Sequence, residues 1–160
     1  LKIRKEVSMN TKYLAKSSLL AAVYVVLTIV LGDFSYGPVQ FRIAEALVLL
    51  PLVEPSAIMG VTVGCIIANI FGGYGPIDIF GGSAVTLLAA YLTSKMPNKI
   101  LGAIPPIALN GLIVSIWVSK FSGLPYLLVA ANIALGEFFA AGVLGILLVS
   151  VYSKYIKTSR

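Results

Sequence analysis

The chain has 160 residues, of which 59% are apolar and 11% charged, with a formal net charge of +6. Soluble domains carry roughly 25% charged residues, so this composition excludes an ordinary water-soluble fold and a disordered chain. There is no His and a single Cys, which excludes His-based catalysis, His metal sites and an intrachain disulfide; the basic residues sit at helix ends and form no patch suited to nucleic acid.

A bilayer core about 30 Å thick takes about 20 helical residues. Cutting the chain at its charges, prolines and glycines gives six apolar helices. The first covers residues 13–32, from a basic stretch to Gly32-Asp33. Its apolar run is longer than the core of a secretory signal and five more spans follow, which argues against a cleaved leader. Met9 is a candidate start, which would make residues 1–8 a start-site remainder. The second helix, residues 41–54, contains Pro51; as an α-helix it reaches only roughly 21 Å, too short to cross unless neighbours bury its ends. Glu54-Pro55-Ser56 reads as a turn into the third helix, residues 56–72, because proline suits the first helical turn. Residues 78–95, 99–119 and 125–153 complete the set. No Gly-x-x-x-x-Gly-Lys-Ser/Thr loop or long polar segment interrupts them. The expectation is an all-α integral membrane protein, a six-helix bundle with residues 1–160 as a single transmembrane domain and no ATPase of its own.

Six spans put both termini on one side. Lys2, Arg4, Lys5, Lys12, Lys16, Lys95, Lys99, Lys154, Lys157 and Arg160 fall there, against Arg42 and Lys120 opposite. By the positive-inside rule this split of ten to two puts both termini in the cytoplasm of a multi-pass cell-membrane protein.

Charges within hydrocarbon cost roughly 2.5–3.5 kcal/mol, so polar residues inside the spans carry the information. Glu137 lies within the sixth helix, five residues after Asn132; Asn110 lies within the fifth, with Trp117 seven residues on and nearly on the same face. Asn69 is near the end of the third helix, and Glu45 follows Arg42 by three residues. The functional reading is a cavity open to the outside and lined by Glu45, Asn69, Asn110, Trp117, Asn132 and Glu137. The structural alternative is interhelical hydrogen bonding, worth about 0.6 kcal/mol per pair, with a local ion pair for Arg42 and Glu45. Two connections, GDFSYGPVQFR at 32–42 and FGGYGPIDIFGG at 71–82, set Phe34, Tyr36, Phe41, Arg42, Tyr74 and Asp78 among glycines. Glycine permits the tight turns of a folded lid over the same face. Gly60, Gly64, Ala68 and Gly72 recur every four residues, and Gly136 pairs with Ala140 and Ala141 with Gly145; such stripes pack helices closely. Ser17 with Ala21, and Ser18 with Ala22, give the first helix a groove that either packs internally or receives a partner's helix. Cys65, in an apolar run, reads as a buried thiol.

The segments GPVQFRIAEALVLLP (37–51) and GPIDIFGGSAVTLLAA (75–90), with an Asn in the fifth helix and Gly-Glu in the sixth, resemble the QueT family. The resemblance runs over nearly the whole chain from about residue 10, and Phe41–Leu47 is its most specific part. These proteins resemble the substrate-binding S components of energy-coupling factor (ECF) transporters and are assigned to queuosine precursors. The resemblance implies a six-helix S-component fold with a pocket near the outer face, no enzymatic activity and no cofactor. It implies partners too: a transmembrane coupling subunit and two ABC-type ATPases. The coupling subunit meets an Ala-x-x-x-Ala motif on the first helix, matched here by Ser18 and Ala22 with one Ala replaced by Ser. The implied substrates are 7-deazaguanines such as queuine or preQ1, flat, rich in N–H donors and cationic on the aminomethyl arm. On that reading Glu137 or Glu45 takes the guanine-like edge through charge-assisted bonds. The other acid, or Asp78, holds the amine. Asn69, Asn110 and Asn132 orient the base, and Trp117 with the loop aromatics covers it. The rivals are an S component for another vitamin or nucleobase and a small proton-coupled secondary transporter with Glu137 as its proton site.

Overall fold

The computed structural model describes residues 2–36, 41–72 and 74–158, and the side chains of these apart from 2–10, 33, 34, 157 and 158. In lipid every backbone N–H and C=O must be satisfied within the chain, which leaves the helix as the solution for an open apolar segment. Among the described residues every regular element is helical. The chain runs through α1 (Lys2–Val30), a short α2 (Gly32–Tyr36), α3 (Ile43–Leu52), α4 (Ser56–Phe71), α5 (Ile77–Ser94), α6 (Lys99–Ser122) and α7 (Tyr126–Ile156). Among the described residues, four helices are long and apolar enough to cross a membrane: Thr11–Val30 of α1, and α5, α6 and α7. The other two, α3 and α4, are shorter apolar helices.

The second expected helix departs from expectation in its winding. It is a 3-10 helix of 10 residues, where runs of more than three or four are uncommon. The tighter winding rises about 2.0 Å per residue, so ten residues reach roughly 20 Å. Three residues per turn stack its side chains in three rows, Ala44-Leu47-Leu50, Glu45-Val48-Pro51 and Ala46-Leu49-Leu52, and every residue from Ala44 to Pro51 is buried. A helix apolar on all sides belongs in the middle of a bundle. Accordingly α3 packs against α1, α4, α5, α6 and α7, and Leu47 to Leu50 anchor the larger apolar core.

The perimeter is the reverse of a soluble protein's. Leu127, Val30 and Phe80 are 79%, 76% and 73% exposed, while Glu45, Asn69 and Asp78 are 2%, 1% and 1% exposed. Apolar side chains on the outside have no hydrophobic drive to associate in lipid, so close packing and polar contacts hold the helices together. The small-residue stripe of α4 does this against α1. A Cβ on Gly60 would lie 2.8 Å from Leu20 Cβ, and one on Gly64 would lie 2.7 Å from Tyr24 Cβ and 3.0 Å from the Ala21 carbonyl. Ser17 adds a hydrogen bond to the Ser56 carbonyl at 2.9 Å. Ser17 and Ala21 are therefore buried against α4, whereas Ser18 and Ala22, one step round the helix, are exposed. Gly145 of α7 fits against the Ala46 carbonyl of α3 in the same way, at 3.1 Å.

Glu54, in the α3–α4 connection, ties one end of the bundle. Its carboxylate accepts from Lys16 Nζ of α1 at 2.5 Å, Ser56 Oγ at 2.8 Å and Tyr152 Oη of α7 at 2.8 Å. Burial alone would push the carboxyl up; the hydrogen bonds from Lys16, Ser56 and Tyr152, with the Lys16 charge, outweigh it and hold it at about 2. An unfolded glutamate titrates near 4.3, so the folded pKa is the lower one. The stabilisation is fully present above the unfolded value and is lost as pH falls from there through the folded one. Detergent-solubilised wild-type protein is expected to lose melting temperature between about pH 5 and pH 2. Glu54→Gln should start lower at neutral pH, by roughly 1–3 kcal/mol, and lack this component of the acid loss. Parallel melting curves for the two proteins over that range contradict the assignment.

Candidate functional site

The polar residues gather at the other end of the bundle, below the α1–α3 and α4–α5 connections. Arg42, the residue before α3, and Glu45, in its first turn, are three apart and so stacked on one side of a three-residue-per-turn helix. Asp78 comes from the first turn of α5, Asn110 from the middle of α6 and Glu137 from α7; with Gly82, Thr86 and Val114 these five residues line a single cavity. Three stretches of π-helix bring them there. Ile77–Gly82 carries Asp78, Asn110–Val114 opens on Asn110, and Phe138–Gly145 begins directly after Glu137. A π turn widens the helix and re-aims the side chains beside it, and such turns recur at functional sites.

The contacts around the cavity follow one pattern: each charged group is half satisfied. Asn110 Nδ2 donates to Glu137 Oε1 at 2.7 Å, and Tyr24 Oη donates to Glu45 Oε1. Trp117 Nε1 donates to Asp78 Oδ1 at 3.0 Å. Arg42 Nε donates to the Ser35 carbonyl at 2.9 Å. The second oxygen of each acid, Glu45 Oε2, Asp78 Oδ2 and Glu137 Oε2, is buried without a hydrogen-bond partner, as is Arg42 Nη2. Arg42 Nη2 and Asp78 Oδ2 lie 3.6 Å apart, near enough to attract and too far to hydrogen-bond. Buried polar atoms are normally paired. Four of the seven that are not, among the described residues, belong to the residues of this one cavity. Three acids also face one base, in a medium where an unpaired charge is costly. The free oxygens leave capacity to accept N–H donors. The space itself is narrow, with room for about one water molecule.

The remaining expected residues take other places. Asn69 is buried behind Asp78: its Nδ2 donates to the Asp78 carbonyl at 2.8 Å and contacts Cys65 Sγ at 3.5 Å. Trp117 stands behind the same aspartate and within the second apolar cluster. A Cβ on Gly82 would lie 2.8 Å from Asp78 Oδ1 and 3.0 Å from Asn69 Nδ2, so glycine there lets both close in. Tyr36 donates to the Ala68 carbonyl at 2.7 Å, and the Arg42 guanidinium lies 5.4 Å over its ring. Tyr74 packs its ring 5.8 Å from that of Phe121. Phe41 and Asn132 are half-buried, and neither lines the cavity. The Phe34 side chain and residues 37–40 of the first connection lie outside the described residues. Sequence reasoning missed Tyr24, Thr86 and Val114. Only Tyr24 carries a signal, being one of an inward line Ser17, Ala21, Tyr24 and Thr28 at near-helical spacing.

Among the described residues, four helices long enough to span, a shorter one buried among them, a second shorter one packed on α1 and an apolar perimeter define a multi-pass membrane protein. A family model described as QueT transporter matches residues 14–154, and the chain belongs to that family. Over 73 residues it is 38% identical to the protein named Queuosine precursor transporter QueT from Lactococcus lactis subsp. cremoris; that stretch takes in 44% of this chain and 43% of the relative. The chain thus matches less than half of that relative's length. No solved structure matches.

Proposed function

We propose that this chain is the substrate-binding S component of an ECF-type importer and captures a 7-deazaguanine queuosine precursor, queuine or preQ1, from outside. The observation that carries the reading is the convergence of three half-satisfied buried carboxylates on one cavity, in a chain of the QueT family. The relative's name supplies the substrate class. The chemistry suits it. A guanine-like edge offers adjacent N–H donors that one carboxylate accepts together, and an aminomethyl arm brings the positive charge that three acids against one base leave uncompensated. Asn110, held on Glu137, is placed to read a ring carbonyl or nitrogen. Glu137 or Glu45 takes the edge, and the other acid or Asp78 the amine.

Ligand pockets commonly enclose ~300–1,000 Å³, so the walls part on binding. Arg42 and Asp78 hold the two connections above the cavity together, and their separation is the natural opening. The ten-to-two split of basic residues orients that end outward, with both termini in the cytoplasm. The exposed Ser18 and Ala22 of α1 form the face that meets the coupling subunit, through which two ATPases drive release inward.

Purified protein titrated with queuine, preQ1, guanine and riboflavin tests the reading. Submicromolar binding of the deazaguanines is expected. Submicromolar binding of riboflavin, with none of the deazaguanines, overturns the substrate assignment.

A further inference from the structure

Tyr24 is fully buried in α1, and its hydroxyl donates to Glu45 Oε1. The other oxygen of Glu45 is buried without a hydrogen-bond partner, and Glu45 lines the cavity. A carboxylate on a short side chain rotates about its terminal bond, and one fixed oxygen sets where the second one points. Tyr24 is also the side chain that α1 wedges against α4: its Cβ lies where a Cβ on Gly64 would come within 2.7 Å. One turn on, Thr28 Oγ1 donates to the Tyr24 carbonyl at 2.8 Å. The hydroxyl is thus fixed by the seating of a helix that also carries the exposed Ser18 and Ala22, one step round from the face packed on α4.

We propose that Tyr24 is a positioning residue of the ligand site, aiming the Glu45 carboxylate at the ligand and making affinity depend on how α1 sits on α4. The inference rests on the reading of this cavity as the ligand site. It gives any displacement of α1 a direct physical effect on binding. A shift of Tyr24 frees Glu45 to turn away, and the ligand loses an acceptor.

The test is calorimetric titration of the purified protein with preQ1, with the melting temperature of each variant read alongside. Tyr24→Phe keeps the ring and its packing and removes one oxygen. It should weaken binding about five- to tenfold, the scale of one net intramolecular hydrogen bond. Glu45→Gln should weaken binding at least as much. In the Glu45→Gln background Tyr24→Phe should change affinity less than about twofold, since its partner charge is gone. Gly64→Ala, which does not line the cavity, should push Tyr24 aside and weaken binding in the same background-dependent way. Wild-type affinity in Tyr24→Phe alongside weak binding in Glu45→Gln overturns the role of Tyr24 and leaves the site intact. Equal losses from Tyr24→Phe in both backgrounds reduce Tyr24 to packing and overturn the proposal too. Wild-type affinity in Glu45→Gln takes Glu45 out of the ligand's contacts and overturns the proposal, whereas no binding of preQ1 to the wild type removes the reading of the cavity itself.

Discussion

Glu137→Gln is expected to weaken preQ1 binding by roughly 10- to 100-fold, the loss of charge-assisted hydrogen bonds worth ~1.5–3 kcal/mol. The amide keeps one oxygen to accept from Asn110 Nδ2, so the contact at 2.7 Å survives. What it gives up is the negative charge and one acceptor at the position of Oε2, the oxygen now buried without a hydrogen-bond partner. In the unliganded protein the substitution keeps the side chain's shape and the Asn110 contact, so the melting temperature should hold. Affinity and stability moving apart is the signature of a group kept for its ligand. Calorimetric titration and a melting curve on the same preparation read both. Unchanged affinity would reassign Glu137 to packing or proton chemistry.

The sequence made the membrane architecture legible for a simple reason. Lipid selects on composition over about 20 residues, and composition is what an apolar run displays. The spans at 13–32, 56–72 and 78–95 correspond to the apolar part of α1 (Thr11–Val30), α4 and α5 within a few residues. The winding of a helix is less visible. Nothing in Ile43–Leu52 distinguishes an α-helix from a 3-10 helix, because either winding buries a segment that is apolar apart from Glu45; the choice follows from the five helices packed around it. The π turns are hidden for the same reason, since each is one extra residue accommodated by neighbours. Within the site, Glu45, Asn110 and Glu137 are recognisable as polar groups of the apolar helices and Asp78 as an acid of the glycine-rich outer connection, and the structure gathers all four. Asn69 and Trp117 carry the same polar signal but hold Asp78 from behind. A sequence reports that a residue is polar and buried, not whether its partner is a ligand or another side chain. Tyr24 escaped because a tyrosine in a membrane helix reads as an interfacial anchor.

Arg42→Met is expected to cost about 3–5 kcal/mol of stability, the usual penalty for removing one member of a buried charge pair. Arg42 is the single base among the residues lining the cavity, facing Asp78 at 3.6 Å and sharing the space with Glu45 and Glu137. Methionine matches much of its length and its stacking on Tyr36, so the loss is electrostatic rather than a matter of volume. The guanidinium also ties the first connection down through the Ser35 carbonyl, and that tie goes with it. The double variant Arg42→Met/Asp78→Asn should recover part of the loss, because it removes an acid from the now unopposed cluster while an amide oxygen still accepts from Trp117 Nε1. Melting temperatures of the wild type, both single variants and the double variant make a complete cycle. Additive losses would mean that Arg42 and Asp78 do not hold one another, and that the two connections over the cavity are joined by packing alone.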